Sequence, residues 1–400
     1  MEELIVAKEI FLLQVNDNGT LESCSERFIE IQRDEDAVNQ SAGAPSTLEE
    51  ESKVSVSALR SMSGPRMEKF KRVLDDQVVN LDTLRELAWS GIPPALRPLC
   101  WRLLLGYVPP NKVLREQVLS RKRQEYKNLI PDYYDRPAAL SSFSQQHGAS
   151  SHTTEEENAL RQVAVDVPRT APGVPFFHQS RVQKMLERIL FIWGIRHPAS
   201  GYVQGINDLA TPFLAIFTAE RMGDDVDMSA WNVSTLNDDD VLEIEADSYW
   251  CLCKLLDGIQ DHYTYAQPGI QKTLFHVGEL VSRVENPIAS HLASENVEYM
   301  QFAFRWVNCL LLREVPFSLG VRLWDTYLSE GPALKEFLVY ILSSFLLSWA
   351  PELKDMDFQE LIMFLQRVPT QHWTETEIEL VLSRAFMWRA SFKGASSHFY

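Results

Sequence analysis

The sequence predicts an all-α protein, and three observations support this prediction. From Pro65 onward, apolar residues such as Leu81, Leu84 and Leu87 recur three or four positions apart, which is the spacing of one helix face. Few segments alternate between apolar and polar residues as half-buried strands do. With 45% hydrophobic and 10% aromatic residues, the 400-residue chain can bury a large core. No repeat of fixed period is present, which argues against a helical solenoid.

Each predicted helix rests on its periodicity and on the residues that punctuate it. An early helix carries Phe70 and Val73 on one face. The Pro93-Pro94 pair marks the start of another, whose apolar face begins at Leu96 and which ends at Gly106. The remaining predicted helices span residues 179–196, 244–262, 295–313, 334–349, 356–366 and 375–391.

Two polar segments interrupt the helical pattern. Residues 139–158 form a low-complexity insert rich in Ser, Gln, Thr and Glu. Residues 220–240 are aperiodic and end in the acidic run Asp238–Asp240. We expect both segments to be exposed surface loops, with the acidic run solvated.

The first 64 residues differ in composition from the rest of the chain. They hold thirteen Asp or Glu and five Lys or Arg, a net charge of -8, and are rich in Ser, Ala and Glu from Ser41 onward. Such a composition cannot bury enough apolar area to offset the entropy of ordering, so we predict a flexible acidic tail. Within it, the segment around Asn18-Gly19 predicts a hairpin, with docking on a partner as the alternative. The predicted folded region is 65–392, and residues 393–400 form a C-terminal tail.

Charge and cysteine usage limit the possible functions. The net charge of -17 and the pI near 5.0 argue against binding to nucleic acid or to anionic membranes through bulk charge. The five cysteines are an odd number without zinc-type spacing, and we interpret them as small buried hydrophobes in a reduced, intracellular compartment. The most apolar stretch, from Phe337 to Pro351, is shorter than the roughly 20 residues that span a bilayer, which favours a buried helix.

Two short polar stretches stand out in this apolar chain, "VAVDVPRT" at residues 163–170 and "GYVQGIND" at residues 201–208. The chain has no P-loop, HExxH or GxSxG motif, so no recognisable nucleotide, zinc or serine-nucleophile site is present. An arginine and a glutamine on polar turns suit phosphoryl transfer from GTP, in which a guanidinium neutralises phosphate charge and an amide orients the attacking water. Taken alone, Asp166 and Arg169 would be an ordinary surface ion pair of little energetic value.

These two stretches resemble the signature motifs of the TBC domain, the catalytic module of Rab GTPase-activating proteins, written I-x-x-D-x-x-R-T and Y-x-Q-G-M-N. "RPLCW" at 97–101 resembles the family's R-x-x-x-W, and "RLWD" at 322–325 resembles a later signature. The resemblance covers about residues 65–390, and longer stretches such as "ERILFIWGIRHPASGYVQGINDL" are similar to the TBC1 domain family member 22 group. It implies a multi-helix domain in two helical subdomains, 65–265 with both motifs and 266–392.

The resemblance also implies a role for each motif residue. Arg169 would be an arginine finger, a side chain inserted into the active site of a Rab, and Gln204 a glutamine finger that replaces the Rab's own glutamine. Asp166 would hold the Arg169 guanidinium by a charge-assisted hydrogen bond. The supporting residues complete the set: Arg97 to brace Asp166, Gly205 to allow close approach, and Tyr202 and Asn207 to orient the turn. Thr170 is a further supporting residue. Val163 and Ile206 depart from the motifs but stay apolar, and neither touches a finger.

The implied function is acceleration of GTP hydrolysis by a GTP-bound Rab, which regulates vesicle traffic. No cofactor or metal of the chain's own is expected, since GTP and Mg²⁺ arrive with the Rab, and no independent enzymatic activity is expected. A cytoplasmic location follows, with peripheral recruitment to Golgi membranes through other proteins and no nucleic-acid partner. Two alternatives stay open: a non-catalytic Rab-binding module, and a helical scaffold organised by the acidic tail. Trp101, Trp306 and Trp324 are predicted core anchors, and Arg322 and Asp325 a structural pair.

Overall fold

Helices account for the folded region, as the periodicity predicts. The computed structural model describes residues 13–15, 21–23, 64–135, 154–222 and 228–392. A first helix, α1, covers 64–75. The other α-helices are α2 Leu81–Trp89, α3 Arg97–Leu104, α4 Lys112–Leu129, α5 Thr154–Asp166, α6 Ser180–Arg196, α7 Ile206–Met222, α8 Asp238–Gly258, α9 Pro268–Val284, α10 Asn286–Ser294, α11 Tyr299–Asn308, α12 Phe317–Glu330, α13 Leu334–Leu346, α14 Ala350–Leu353, α15 Phe358–Gln366 and α16 Glu375–Phe392.

Strands occur in the described residues only near the N-terminus. β1, Leu13–Val15, pairs in antiparallel register with β2, Leu21–Ser23, which agrees with the hairpin predicted around Asn18-Gly19. Several predictions concern residues that lie outside the described ones. These are the flexible tail before α1 apart from the two strands, Cys24, most of the 139–158 insert and the C-terminal tail. Residues from Pro65 onward form one compact unit. Its division at 265 stays a prediction.

The predicted acidic loop at residues 220–240 ends earlier than expected, because α8 already begins at Asp238. Asp238–Asp240 form the first turn of α8 rather than part of a loop, because Asn237 caps the helix by accepting a hydrogen bond from the Asp240 N–H at 2.8 Å. The side chains of Asp238 and Asp239 are exposed to solvent, as predicted. Carboxylates in a first turn also interact favourably with the helix dipole. Arg181 pairs with Asp238 at 2.5 Å. The prediction of a helix starting at 244 was therefore wrong by six residues.

Helix α11 is also shorter than predicted. It ends at Asn308, because Leu310 and Leu311 adopt left-handed backbone with φ of 48° and 62°. Likewise α5 begins at Thr154, so the last part of the predicted 139–158 loop is helical. Local periodicity continues past Asn308, and only the tertiary packing shows where α11 ends, whereas the polar composition of 139–158 hid the start of α5.

The core runs through both halves of the compact unit. Helix α7 packs against α8, α13 packs against α9 and α16, and α12 packs against α2. The three predicted anchors Trp101, Trp306 and Trp324 are at most 1% exposed, and Trp101 stacks on Trp324 with ring centroids 6.1 Å apart. The four described cysteines are buried and free, as predicted. Burial raises the pKa of the Cys253 thiol to about 12.

The most apolar part of the chain lies inside this core. The stretch Phe317–Leu353 is long and apolar enough to cross a membrane by composition alone, and 72% of its most apolar window is buried within the fold. Its helix is interrupted at Gly331, where φ is 54°. Interruption and burial both favour the predicted role as core rather than as a membrane span.

A buried carboxylate, Asp325 on α12, joins the first helices to the second half of the domain. Its oxygens accept hydrogen bonds from the Ile92 N–H at 2.9 Å, the Trp101 indole at 2.8 Å and the Arg97 Nε at 3.1 Å. Burial raises the pKa of the Asp325 carboxyl, and Arg97 opposes this shift. The predicted Arg322–Asp325 pair is wrong, since Arg322 instead bonds Glu379 at 2.5 Å and the hydroxyl of Thr326.

We expect Asp325→Ala to lower the free energy of unfolding by about 3–5 kcal/mol, because it leaves Arg97 and two N–H donors without their acceptor. Urea denaturation followed by circular dichroism measures the change. Asp261→Ala is the matched control, since its pair with Lys335 at 3.0 Å is on the surface and should contribute under about 1 kcal/mol. Equal losses in the two variants would contradict the structural role assigned to Asp325.

Candidate functional site

Arg169 lies on a tight turn that the end of α5 holds in place. Helix α5 ends at Asp166 and a 3₁₀ turn, Val167–Arg169, follows directly. Val163 and Val167 are buried at 0% and 3% exposure, so this side of the turn is fixed in the core. The Thr170 hydroxyl donates to the Asp166 carbonyl at 3.0 Å. Arg169 itself is exposed, and its side chain is therefore available to a partner.

Gln204 lies on a second turn, between α6 and α7. Tyr202 is buried at 7% exposure against Gly194, where an added Cβ would lie 3.1 Å from the tyrosine Cβ. Gly205 has φ of 104°, a conformation that favours glycine. Helix α7 begins at the next residue, Ile206. Gln204 is exposed, as Arg169 is, while the residues on either side of it are at least partly buried.

A buried hydrogen-bond network joins the two turns. The Tyr202 hydroxyl donates to the Asp166 carboxylate at 2.9 Å and lies 3.3 Å from the Asn207 side-chain oxygen. That oxygen also accepts from the Gly205 N–H at 2.9 Å. The Asn207 Nδ2 donates to the Thr170 hydroxyl at 2.9 Å. The structure therefore brings five of the predicted supporting residues into one network beneath the two exposed side chains.

The partner of Asp166 differs from the one expected. Its carboxylate accepts a hydrogen bond from Tyr202, and no direct bond to Arg169 is formed, so Arg169 influences Asp166 only through its charge. Burial raises the pKa of Asp166 above its ordinary value, and the Tyr202 hydrogen bond and the charges of Arg169 and Arg313 oppose that shift. Asp166 thus orients Tyr202 and the turn rather than the guanidinium.

The predicted role of Arg97 is wrong. Its guanidinium pairs with Asp325 at 3.1 Å and does not brace Asp166. The two carboxylates are equivalent in a sequence pattern, and only the fold decides which of them lies next to α3. Arg97 is therefore a structural residue of the helix junction and not part of the finger network.

Two residues that the sequence analysis did not assign belong to the site. Asn308, at the end of α11, donates from its Nδ2 to the Gln204 carbonyl at 3.0 Å. Asp208, the last letter of "GYVQGIND", is 4% exposed, lies 3.7 Å from the Arg313 guanidinium and accepts from the Cys309 thiol at 3.6 Å. Burial raises the pKa of Asp208. An amide inside the apolar stretch "RWVNCLLL" was the available signal for Asn308.

A cleft of about 440 Å³ lies elsewhere on the described part of the chain and does not include the side chains of Arg169 and Gln204. That cleft is lined by residues that include Tyr107, Lys122, Arg196 and Trp250, and it contains none of the predicted site residues. Small-molecule sites are usually concave and enclose most of their ligand. Arg169 and Gln204 instead project from surface turns on a buried support, which suits contact with a protein.

We expect Tyr202→Phe to lower the free energy of unfolding by about 1–3 kcal/mol at neutral pH, because a buried carboxylate loses a donor. In the wild type, the hydrogen bond from Tyr202 favours the charged form of Asp166. Its removal therefore raises the already elevated pKa of Asp166 further. Stability lost through a raised carboxyl pKa appears as the pH rises above the ordinary value of 3.8. The difference in the free energy of unfolding between Tyr202→Phe and wild type should therefore be smaller at about pH 4 than at neutral pH. Thermal melts at both pH values measure it.

Tyr107→Phe is the matched control for this pH dependence. The Tyr107 hydroxyl donates to Asp247 at 2.7 Å, but Arg102 and Arg123 hold the pKa of Asp247 below its ordinary value despite burial. Asp247 stays charged at about pH 4, so the cost of Tyr107→Phe should be the same at both pH values. A Tyr202→Phe cost that does not shrink in acid would show that Asp166 is not the group that titrates.

Comparison with known proteins agrees with this geometry. The Rab-GTPase-TBC domain family matches residues 94–354. The chain is 48% identical over 335 residues to human TBC1 domain family member 22B, covering 84% of this chain and 63% of that protein. It is 45% identical over 334 residues to the GTPase-activating protein gyp1 of Schizosaccharomyces pombe, covering 83% and 62%.

A solved structure shows the same fold. The crystal structure of the Ypt/Rab-GAP domain of Gyp1p superimposes with a TM-score of 0.74 at 42% identity, covering 82% of this chain and 98% of that one. The chain spans less than two thirds of the length of the two relatives above. The resemblance carried by the motifs is confirmed, and the chain belongs to the Rab-GTPase-TBC domain family.

Proposed function

We propose that this chain is a GTPase-activating protein for a Rab-family small GTPase, with Arg169 and Gln204 inserted in trans into the Rab's nucleotide site. The observation that carries the proposal is the placement of these two side chains. Both are exposed, and one buried network of Asp166, Tyr202, Asn207 and Thr170 supports the turns that present them. Family membership and a relative named as a GTPase-activating protein add support.

The chemistry of hydrolysis explains why these two residue types are needed. Water attacks the terminal phosphoryl group, and negative charge spreads over its oxygens in the transition state. A guanidinium offers a planar fork of donors to those oxygens, and it is always charged. The Gln204 amide can donate to one oxygen and accept from the attacking water at the same time. Neither side chain becomes covalently modified, so the chain is regenerated in each cycle.

The buried network lowers the cost of presenting these groups. Side chains that are placed before the partner arrives lose less freedom on binding and need no rearrangement in the transition state. The side chains of Arg169 and Gln204 are exposed, and their backbone turns are held by Thr170 and Asn207 through a 2.9 Å hydrogen bond. GTP and Mg²⁺ belong to the Rab in this proposal, and the chain supplies no nucleotide site of its own.

We further propose a cytoplasmic protein that reaches Golgi membranes through other proteins and there regulates vesicle traffic. Anionic lipids on the cytoplasmic leaflet attract basic segments and repel acidic ones. A chain with a net charge of -17 therefore has no bulk electrostatic attraction to such a membrane. This argument favours recruitment by a protein partner over direct lipid binding.

A panel of purified Rabs loaded with GTP tests the proposal. The protein is added to each Rab, and phosphate release is followed in single-turnover assays. We expect acceleration of at least one Rab and no GTP hydrolysis by the chain alone. Binding to a GTP-loaded Rab without acceleration would favour the non-catalytic binding module, and the absence of both would favour the helical scaffold.

A further inference from the structure

The peptide group between Gln204 and Gly205 is held from two sides. Its N–H, on Gly205, donates to the Asn207 Oδ1 at 2.9 Å, and its carbonyl, on Gln204, accepts from the Asn308 Nδ2 at 3.0 Å. Because both polar groups are engaged, the peptide plane cannot rotate without breaking one bond or both. The orientation of that plane determines the direction in which the Gln204 side chain leaves the backbone.

Asn308 lies directly against this turn. It is 6% exposed, and a Cβ added to Gly205 would lie 2.1 Å from its Nδ2. Gly205 also has φ of 104°, so both the close approach and the backbone conformation require glycine here. The glycine of the motif is thus explained in part by a residue of the second half of the domain.

The position of Asn308 is itself well determined. The Tyr263 hydroxyl donates to the Asn308 carbonyl at 2.7 Å. Helix α11 ends at Asn308, and Leu310 and Leu311 follow in left-handed backbone while fully buried. Such conformations persist only when the surrounding packing fixes them. The Nδ2 donor therefore projects from a rigid base toward Gln204.

The chemistry of the amide indicates which of its two polar atoms is used. The Asn308 Oδ1 is buried without a hydrogen-bond partner among the described residues. A buried acceptor left unpaired destabilises a fold, and an apolar side chain of similar size would avoid that cost. The hydrogen bond from Nδ2 to Gln204 is the interaction that only an amide-like side chain provides at this position.

We propose that Asn308 is a positioning residue for Gln204, which fixes the Gln204–Gly205 peptide so that the glutamine amide points into the Rab active site. The inference rests on the proposed function. Asn308 contacts neither nucleotide nor Rab in this role, since it acts through the main-chain carbonyl of Gln204. It links the second half of the domain to the finger that the first half carries.

The test is a double-mutant cycle between Asn308→Ala and Gln204→Ala, with a fully responsive Rab at high protein concentration. Asn308→Ala should lower kcat roughly ten- to a hundredfold, the effect of a misplaced reacting group, and leave KM within about threefold. In the Gln204→Ala background the same substitution should change kcat by less than about twofold, because residues that act through one another are not additive. Tyr263→Phe removes the hydroxyl that donates to the Asn308 carbonyl. It should also lower kcat, but by less than Asn308→Ala does.

Two controls separate positioning from general destabilisation. Ser343→Ala removes a buried side-chain hydrogen bond to the Val339 carbonyl at 2.9 Å, far along the chain from Gln204. It should lower the melting temperature about as much as Asn308→Ala does and leave kcat unchanged. Hydrogen exchange read by mass spectrometry over residues 201–208 should be faster in Asn308→Ala than in wild type, and unchanged in Ser343→Ala.

Specific results would overturn the inference. A folded Asn308→Ala with wild-type kcat, or a loss of kcat that persists in full in the Gln204→Ala background, would show that Asn308 does not act through Gln204. Unchanged exchange over 201–208 would show that it does not hold the turn. If the wild-type protein accelerates no Rab, the proposed function fails instead, and the exchange result alone decides whether Asn308 holds the Gln204 turn.

Discussion

Arg169→Ala should nearly abolish stimulated GTP hydrolysis. An arginine supplied in trans to a GTPase contributes roughly a thousand- to a hundred-thousandfold in rate, or about 4–7 kcal/mol of barrier. Arg169 is exposed and its carboxylate neighbour Asp166 bonds Tyr202 instead, so the guanidinium is not held by that carboxylate. Single-turnover phosphate release from the Rab that the panel selects measures the loss.

Arg169→Lys tests the geometry of the same group. A lysine keeps the charge but lacks the planar fork that meets two phosphate oxygens, so it should restore little of the rate. Arg161→Ala is the matched control, since Arg161 is an exposed arginine on α5 whose 3.6 Å pair with Glu157 lies on the helix surface. We expect near wild-type rates for it. Undiminished stimulation by Arg169→Ala would refute the catalytic assignment and favour the scaffold.

Gln204→Ala should be comparably damaging, because the water then lacks the amide that orients it. Its turn is held by Asn207 and Asn308 through main-chain groups, so removing the side chain should leave the turn and the fold intact. Circular dichroism and melting check the fold, and single-turnover hydrolysis measures the rate. Gln359→Ala, an exposed glutamine on α15, is the control and should behave as wild type.

A more specific consequence concerns the Rab's own glutamine. If Gln204 replaces it, a Rab whose switch glutamine is changed to Ala should still respond to the wild-type protein. An activator that supplies an arginine alone would not stimulate that Rab. Loss of the response, with Arg169 still required on the normal Rab, would restrict the proposal to a single arginine finger.

The local features of the site could be predicted from the sequence. The motif letters around Arg169 and Gln204 named both exposed side chains and five of their buried supports, Asp166, Thr170, Tyr202, Gly205 and Asn207. The family motifs implied that these residues support the turns. The bonds that join them, from Tyr202 to Asp166 and from Asn207 to Thr170, span 36 and 37 positions and are visible only in the fold. The tryptophan anchors were also predictable, since large aromatic residues dominate helical cores.

The errors share a different physical origin. Arg97 bonds Asp325, 228 positions away, and Asn308 bonds the Gln204 carbonyl, 104 positions away. A sequence pattern contains many carboxylates and amides that could serve each donor, and no local rule chooses among them. The choice depends on which helices pack together, here α3 with α12 and the end of α11 with the turn before α7.

By itself, the sequence determined the all-α class, helices such as those at 179–196, 334–349 and 375–391, their apolar faces and the two polar turns, because periodicity and turn chemistry act over a few residues. The tertiary structure alone decided the end of α11, the partner of Arg97 and the contact between Asn308 and Gln204. Those features depend on the burial of polar groups that must find hydrogen-bond partners wherever packing places them. The support of Gln204 therefore comes from Asn207 in its own motif and from Asn308, which lies 104 positions away at the end of α11.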